Sequence, residues 1–258
     1  MNIVVAIKQV PDLVEELEIN EEGTGLDPDV LSFVLNEFDD HALEEALLLK
    51  EETGATVTVI GVDTTGELDQ ALYTALAKGA DRAIKIVGDF EEGERLPTPV
   101  MARVLADAIQ QLEYDLVFTG VQAADDLDGQ VAPMLAALLS VPHVGVVTGV
   151  QQVNGAVKVQ KEFWAGITAD LEVDFPAVLG IQAARQAPRY APVSRVRQAM
   201  KEATIEEIEV DALPDAPAAP VRRMFIPEVT GRAEILEGDE GTIAEKIVEI
   251  LRERGILS

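Results

Sequence analysis

Apolar residues along this chain follow two rhythms, and the order in which they alternate points to its architecture. Short runs rich in Val, Ile and Ala recur at residues 3–7, 56–62, 82–87 and 115–119. Uninterrupted runs of this length suit strands buried on both faces, as in a parallel sheet. Between the runs, apolar positions recur at three- and four-residue spacing. One stripe is Phe38, Ala42, Leu43, Ala46 and Leu47, predicting a helix over 36–50. Another runs through Leu68, Leu72 and Ala75 and stops at Gly79, a helix-ending residue. A third carries Val100, Val104, Leu105, Ala108, Ile109 and Leu112, with Thr98 as N-cap and Pro99 as first helical residue. Strands alternating with helices in this way predict a parallel sheet with right-handed crossovers.

After Leu139 the rhythm changes. Residues 141–150, 156–162, 169–173 and 177–182 read as strands joined by short turns, and Asn154-Gly155 is a strong hairpin signal. Antiparallel strands added to the parallel sheet are therefore expected. Six of the thirteen prolines then fall at 188, 192, 214, 217, 220 and 227, which predicts an extended arm. A short helix closes the chain, with Thr242-Ile-Ala-Glu245 at capping-box spacing and a stripe of Ile243, Ile247, Ile250 and Leu251. Such a stripe needs a surface to cover it. The expected division is an α/β domain over 1–182 and a segment over 183–258 that serves partner recognition.

Composition narrows the function. A net charge of −27 argues against nucleic acid, whose phosphates require a basic face. Glu44-Glu45 and Glu51-Glu52 read as solvated helix faces. With no cysteine there are no disulfides, thiolate metal sites or iron–sulfur ligands. The apolar start is cut short by Lys8 and no cleavage pattern follows, so a cytoplasmic location is expected. Residues 129–157 carry no charge, but Pro133, Pro142, Gly145, Gly149 and Asn154 interrupt them, so they read as core rather than as a membrane span.

The segment richest in chemistry is Tyr114-Asp-Leu-Val-Phe-Thr-Gly120, a strand, followed by the small and polar loop Val-Gln-Ala-Ala-Asp-Asp-Leu-Asp-Gly-Gln130 and a helix marked by Val131, Leu135, Leu138 and Leu139. Open α/β sheets bind ligands beyond the carboxyl ends of their strands, and a helix N-terminus there favours a phosphate. An ordinary strand-to-helix turn with Asp128 as N-cap fits the same residues. No G-x-G-x-x-G follows the first strand. Gly61 and Gly66 begin a P-loop spacing, but Glu67 stands where lysine is required. His41 and His143 read as structural, and Asp125, Asp126 and Asp128 as loop and cap residues rather than metal ligands. No catalytic triad or acid–base pair is present, so no catalytic residue is assigned. Residues 183–201 hold five basic side chains and no acidic one. They fit pairing with the protein's own acids, docking to a partner, or contact with cofactor phosphates.

Taken in order, five segments resemble the beta subunit of electron-transfer flavoproteins. They are Ile3-Val-Val-Ala-Ile-Lys-Gln-Val-Pro-Asp12, Asn36 with the helix at Ala42-Leu-Glu-Glu-Ala-Leu, Ala75-Leu-Ala-Lys-Gly-Ala-Asp-Arg82, the Gly120–Val131 loop, and Pro188-Arg-Tyr190. The resemblance implies an adenine-nucleotide alpha-hydrolase-like α/β fold. It implies a heterodimer with an alpha subunit that carries FAD and is embraced by the C-terminal arm. It also implies AMP, or a second FAD in the bifurcating members that draw electrons from NADH, held in this chain. Nucleotide contacts carry over to Ala6, Asn36, Glu37, Phe38, Asp39, Asp63, Gly120, Gln122, Ala123, Asp125, Asp126, Gly129, Gln130 and Val131. A recognition segment carries over to Arg189, Tyr190, Val193, Arg195 and Arg197, facing a dehydrogenase or a membrane-associated quinone oxidoreductase. Two places depart from the family pattern. Val193-Ser194 stands where a Leu-Pro pair is usual, which looks more like the bifurcating group and favours the second FAD. The glycine-rich signature is replaced by Glu162-Phe-Trp-Ala-Gly-Ile-Thr-Ala-Asp170, whose Phe163 and Trp164 read as core, or else as neighbours of a flavin ring. Rival classes are a universal-stress-type ATP-binding protein and an ATP pyrophosphatase. Neither phosphate loop is present, and Lys8-Gln-Val-Pro-Asp12 stands where the latter requires Ser-Gly-Gly-x-Asp-Ser.

Overall fold

The computed structural model describes residues 1–88, 96–210, 220–227, 233 and 235–257. It divides into two compact units, Met1–Arg223 and Met224–Ser258. The first unit is built on a nine-stranded sheet, β11-β5-β4-β1-β6-β10-β7-β8-β9 in spatial order. Its strands are β1 (Asn2–Ile7), β4 (Thr56–Val62), β5 (Arg82–Gly88), β6 (Leu116–Gly120), β7 (His143–Val153), β8 (Ala156–Glu162), β9 (Thr168–Asp174), β10 (Ala177–Ile181) and β11 (Glu206–Val210). Every pairing is parallel except β7 with β8 and β8 with β9. A separate antiparallel pair, β2 (Gln9–Pro11) and β3 (Phe33–Leu35), closes the polar excursion after β1.

The continuous apolar runs exist because both faces of the sheet are covered. Side chains alternate across a strand. In β1, Ile3, Val5 and Ile7 join the core formed with α1 (Glu37–Thr53) and α2 (Leu68–Lys78). Val4 and Ala6 join a second core on the opposite face, formed with α3 (Thr98–Ile109) and α4 (Val131–Leu139). Helices on both faces make the sheet doubly wound. α1 ends as its sequence suggests: Gly54 takes the left-handed conformation, φ 72°, and its amide bonds back to the Lys50 carbonyl.

Several expectations shift. The polar segment after Pro188 is not simply extended: α5 (Val193–Glu202) lies against α2, and β11 adds an edge strand beside β5. Pro214 and Pro217 lie outside the described residues. Glu44 and Glu45 are not on a solvated face. Both are buried, because Arg189 and Arg185 neutralise them there. The first residue of α3 is Thr98 rather than Pro99, and Thr98 makes no capping bond; its hydroxyl donates to Asp128 Oδ2 at 2.7 Å. The N-cap position of α4 is Gln130 rather than Asp128, with no side-chain capping bond, and its buried side is Ala132, Leu135 and Ala136, leaving Leu138 exposed.

In the second unit, α6 (Glu240–Glu253) starts one turn earlier than Thr242 suggested. Asp239 is its N-cap and accepts the Thr242 amide at 2.8 Å. No residue of α6 is buried; of its apolar stripe Ile247 is exposed and Ile243, Ile250 and Leu251 are partly covered. No helix among the described residues is long and apolar enough to cross a membrane.

Candidate functional site

The order of the strands places a crevice. From β1 the chain moves to β4 and β5 on one side, then returns to lay β6 on the other side of β1. The loops leaving β1 and β6 therefore part in opposite directions. Ligands in open α/β sheets sit at such a switch point, beyond the carboxyl ends of the strands. A cleft opens there.

Its walls come from four segments. Ala6, Ile7 and Lys8 end β1, Asn36 and Asp39 open α1, Met101 and Leu105 come from α3, and Thr119 to Ala123 with Asp126, Asp128, Gly129 and Val131 form the remainder. The N-terminus of α1 is what joins them. Asn36 caps it with a backbone amide bound to the Lys8 carbonyl at 2.9 Å and a side-chain amide that donates to the Gln122 carbonyl at 2.9 Å. One turn on, Asp39 accepts the Lys8 amide at Oδ2 and the Gly120 amide at Oδ1, both at 2.8 Å. Burial pushes the Asp39 carboxyl up to about 7, against the Gly120 amide, the Asn36 side chain and the Lys8 amide, which all favour its charged form.

Gly120 is required by this closeness. A Cβ there would lie 2.5 Å from Asp39 Oδ1, 2.7 Å from Phe38 Cβ and 2.9 Å from the Asp39 nitrogen. Across the cleft the Lys8 ammonium meets Asp125 at 2.6 Å and Asp126 at 3.4 Å, drawing the loop after β6 onto the end of β1. The loop then turns through Leu127 (φ 52°) and Gly129 (φ 61°), with the Gln130 amide bound to Asp128 Oδ1 at 3.0 Å. α4 follows without a side-chain cap, so its first-turn amides face the cleft end of the loop.

Nine residues singled out from the sequence line this cleft: Ala6, Asn36, Asp39, Gly120, Gln122, Ala123, Asp126, Gly129 and Val131. Asp125 stands behind it as the partner of Lys8, Phe38 packs beside Gly120, and Glu37 is exposed at the start of α1. Gln130 folds its side-chain amide back onto the Asp128 carbonyl at 3.1 Å. Asp63 holds the turn after β4, accepting the Gly66 amide at 2.9 Å and lying 3.9 Å from Lys85. Sequence reasoning did not assign Ile7, Lys8, Met101, Leu105 or Thr119 to the site. Lys8 left a signal, as the first charge after the first strand; Leu105 was read as ordinary core, and Met101 was not singled out.

The basic segment splits in two. Arg185 donates to Glu45 at 2.8 Å and to Glu52 at 2.7 Å; Arg189 donates to Glu44 at 2.9 Å and to Glu51 at 2.6 Å. The Glu44 and Glu51 hydrogen bonds raise the Arg189 guanidinium above its ordinary range. Tyr190, Val193, Arg195 and Arg197 are instead exposed, and neither Arg195 nor Arg197 makes an ion pair among the described residues. Phe163 and Trp164 are not core: Trp164 is 83% exposed at the turn between β8 and β9, and Phe163 is covered only in part, with the Lys161 ammonium 5.3 Å from its ring centre. His41 and His143 contact backbone: His41 Nδ1 accepts the Ala184 amide at 3.2 Å, and His143 Nδ1 lies 3.2 Å from the Val178 carbonyl.

Fold and cleft together define a doubly wound α/β protein with an antiparallel extension and a crevice at its switch point. Residues 30–213 match the family described as electron transfer flavoprotein domain. The chain is 38% identical to the electron transfer flavoprotein subunit beta of Methylophilus methylotrophus, over 98% of each chain. It is 35% identical to the protein of the same description from Clostridium acetobutylicum and 31% identical to that from Bacillus subtilis, again over 98% of each chain. The chain belongs to the electron transfer flavoprotein family, and its relatives are beta subunits.

Proposed function

We propose that this chain is the beta subunit of a heterodimeric electron carrier and that its cleft holds an adenosine 5′-phosphate unit, as AMP or as the adenylate half of a second FAD. The observation that carries this reading is the cleft itself, set at the switch point of a family member's sheet. Its chemistry fits the group. Ile7, Met101, Leu105 and Val131 offer an apolar bed for a base, and Asn36 and Gln122 supply amide donors and acceptors. Lys8 and the uncapped start of α4 suit a phosphate. The surrounding carboxylates of Asp39, Asp125, Asp126 and Asp128 outnumber that single ammonium, which disfavours a triphosphate and fits a ligand of low charge.

The redox chemistry belongs to flavin; the protein binds, orients and electrostatically tunes. Residues 1–182 serve the nucleotide and residues 183–258 serve partners. The apolar stripe of α6, none of it buried, is read as the part that embraces the alpha subunit. Tyr190, Val193, Arg195 and Arg197 are read as the face offered to a dehydrogenase or quinone oxidoreductase, with Arg189 anchoring that face to α1.

Co-expression with the alpha subunit tests the reading. A yellow heterodimer is expected, and nucleotides released from it should include one adenine nucleotide beyond the alpha subunit's flavin. Failure to form a complex, or the absence of that second nucleotide, refutes it. Two FAD per heterodimer identify the bifurcating type; one FAD and one AMP identify the simple carrier.

A further inference from the structure

One side chain joins the two strand ends that flank the cleft. Asp39 is buried in the first turn of α1, and its two oxygens take backbone amides from different strands, Lys8 beyond β1 and Gly120 at the end of β6, both at 2.8 Å. β1 and β6 are neighbours in the sheet, but their last paired residues are Val5 and Phe118. Beyond that point the ladder no longer holds the two chains together, and the Asp39 carboxylate takes its place. An ionised carboxylate offers both amides a strong acceptor, whereas protonation turns one oxygen into a hydroxyl, a much weaker acceptor for its amide.

We propose that Asp39 is a positioning residue of the cleft, clasping the ends of β1 and β6 at the separation a mononucleotide needs, and that taking up a proton loosens the clasp. The inference rests on reading the cleft as a nucleotide site. The charged groups around Asp39 support a proton exchange there. Among the described residues Lys8 is the one cation whose charge acts on it, and it is already shared with Asp125 and Asp126. On α1 itself, Asp40 is neutralised by Lys78 of α2, and Glu37 is exposed. Asp128, across the cleft, is engaged by the Thr98 hydroxyl and the Gln130 amide. The β6 end contributes only backbone. With burial holding its carboxyl near 7, Asp39 changes charge close to neutral pH.

The test uses the full chain in complex with its alpha subunit, stripped of nucleotide, with AMP as the probe and calorimetry from pH 6 to pH 8.5. Asp39→Asn keeps one acceptor but turns an NH₂ group toward the other amide. It is expected to weaken AMP binding at least tenfold at pH 8. Wild type should lose at least fivefold in affinity between pH 8 and pH 6 beyond the loss in the variant, which removes the contribution of the phosphate's own titration near about 6. Equal affinities, parallel profiles, or a wild-type slope of the opposite sign would each overturn the clasp; the last would mean that the ionised carboxylate merely repels the phosphate. If the variant does not assemble, amide exchange on wild type decides. Protection of the Lys8 and Gly120 amides, corrected for intrinsic exchange, should fall about tenfold from pH 8 to pH 6, and constant protection refutes the proposal. AMP binding to wild type at no pH would instead remove the nucleotide reading, and this inference with it.

Discussion

Replacing Gly120 with alanine tests how closely α1 is drawn against β6. The φ of Gly120 lies outside the left-handed range, so alanine can adopt its backbone conformation. An unstrained Gly→Ala change would stabilise by about 0.4–1 kcal/mol, by narrowing the unfolded ensemble. Contact reverses that sign. The new methyl would lie 2.5 Å from Asp39 Oδ1 and 2.9 Å from the Asp39 nitrogen, and the second of these is helix backbone that no rotamer change can move. The start of α1 must retreat, straining a packed core for about 1–3 kcal/mol. Stretching the bond from the Gly120 amide to Asp39 adds about 1.5–3 kcal/mol, as for a hydrogen bond to a charged group. After the entropic gain is set against these, a net loss of about 2–4 kcal/mol is expected. For a chain of this size that lowers the melting temperature by roughly 5–15 °C. Thermal unfolding followed by circular dichroism reads it directly. A melting temperature within a degree or two of wild type would show that helix and strand are not in contact as described.

Other consequences can be checked in the same way. Arg185→Ala leaves the fully buried Glu45 with backbone donors alone and should destabilise by about 3–5 kcal/mol, measured by urea unfolding; a loss below about 1 kcal/mol would mean Glu45 is hydrated. The raised Asp39 carboxyl means that, between its ordinary 3.8 and about 7, the folded chain holds a proton that the unfolded chain has released. This group's contribution to stability is therefore full below that window and falls as pH rises through it, by an upper limit of about 4 kcal/mol; Asp39→Asn should flatten the fall, and an unchanged pH profile would contradict it. Trp164, the single tryptophan, should emit as a solvent-exposed indole and be readily quenched by acrylamide in the isolated chain. Gly54→Ala meets no neighbour but keeps a positive φ, so its cost should stay near about 1 kcal/mol and leave AMP binding unaltered.

What the sequence disclosed, and what it hid, follows the strength of local signals. The parallel strands were legible because burial on both faces leaves runs such as Ile3-Val-Val-Ala-Ile7, and α3 because its stripe repeats for three turns. The β7–β8 turn was legible from Asn154-Gly155. α5 was hidden because only Val196 is buried, in a helix whose other residues are mostly Arg, Gln, Ser, Lys and Glu. β11 was hidden because Glu206, Glu207 and Glu209 look like a solvated run, although Arg82 grips Glu206 with two nitrogens at 2.8–2.9 Å and the strand extends the sheet. The burial of Glu44 and Glu45 was illegible locally, since the arginines that permit it lie at 189 and 185. At the cleft, the loop from Gly120 onward announced itself, whereas the part played by Lys8 required knowing that β1 and β6 are neighbours.

Those arginine clamps have a bearing on biogenesis. Glu45 and Arg185 are 140 positions apart, and Glu44 and Arg189 are 145 apart. Contacts this remote form late, because most of the intervening chain must be in place before the ends can meet. On a ribosome, α1 emerges with two acidic side chains that have no counterions until β10 and the residues after it have been made. The surface around Tyr190 is therefore presented only by a finished domain. A truncated or half-folded chain lacks it, so a partner that docks there would engage completed subunits and pass over incomplete ones.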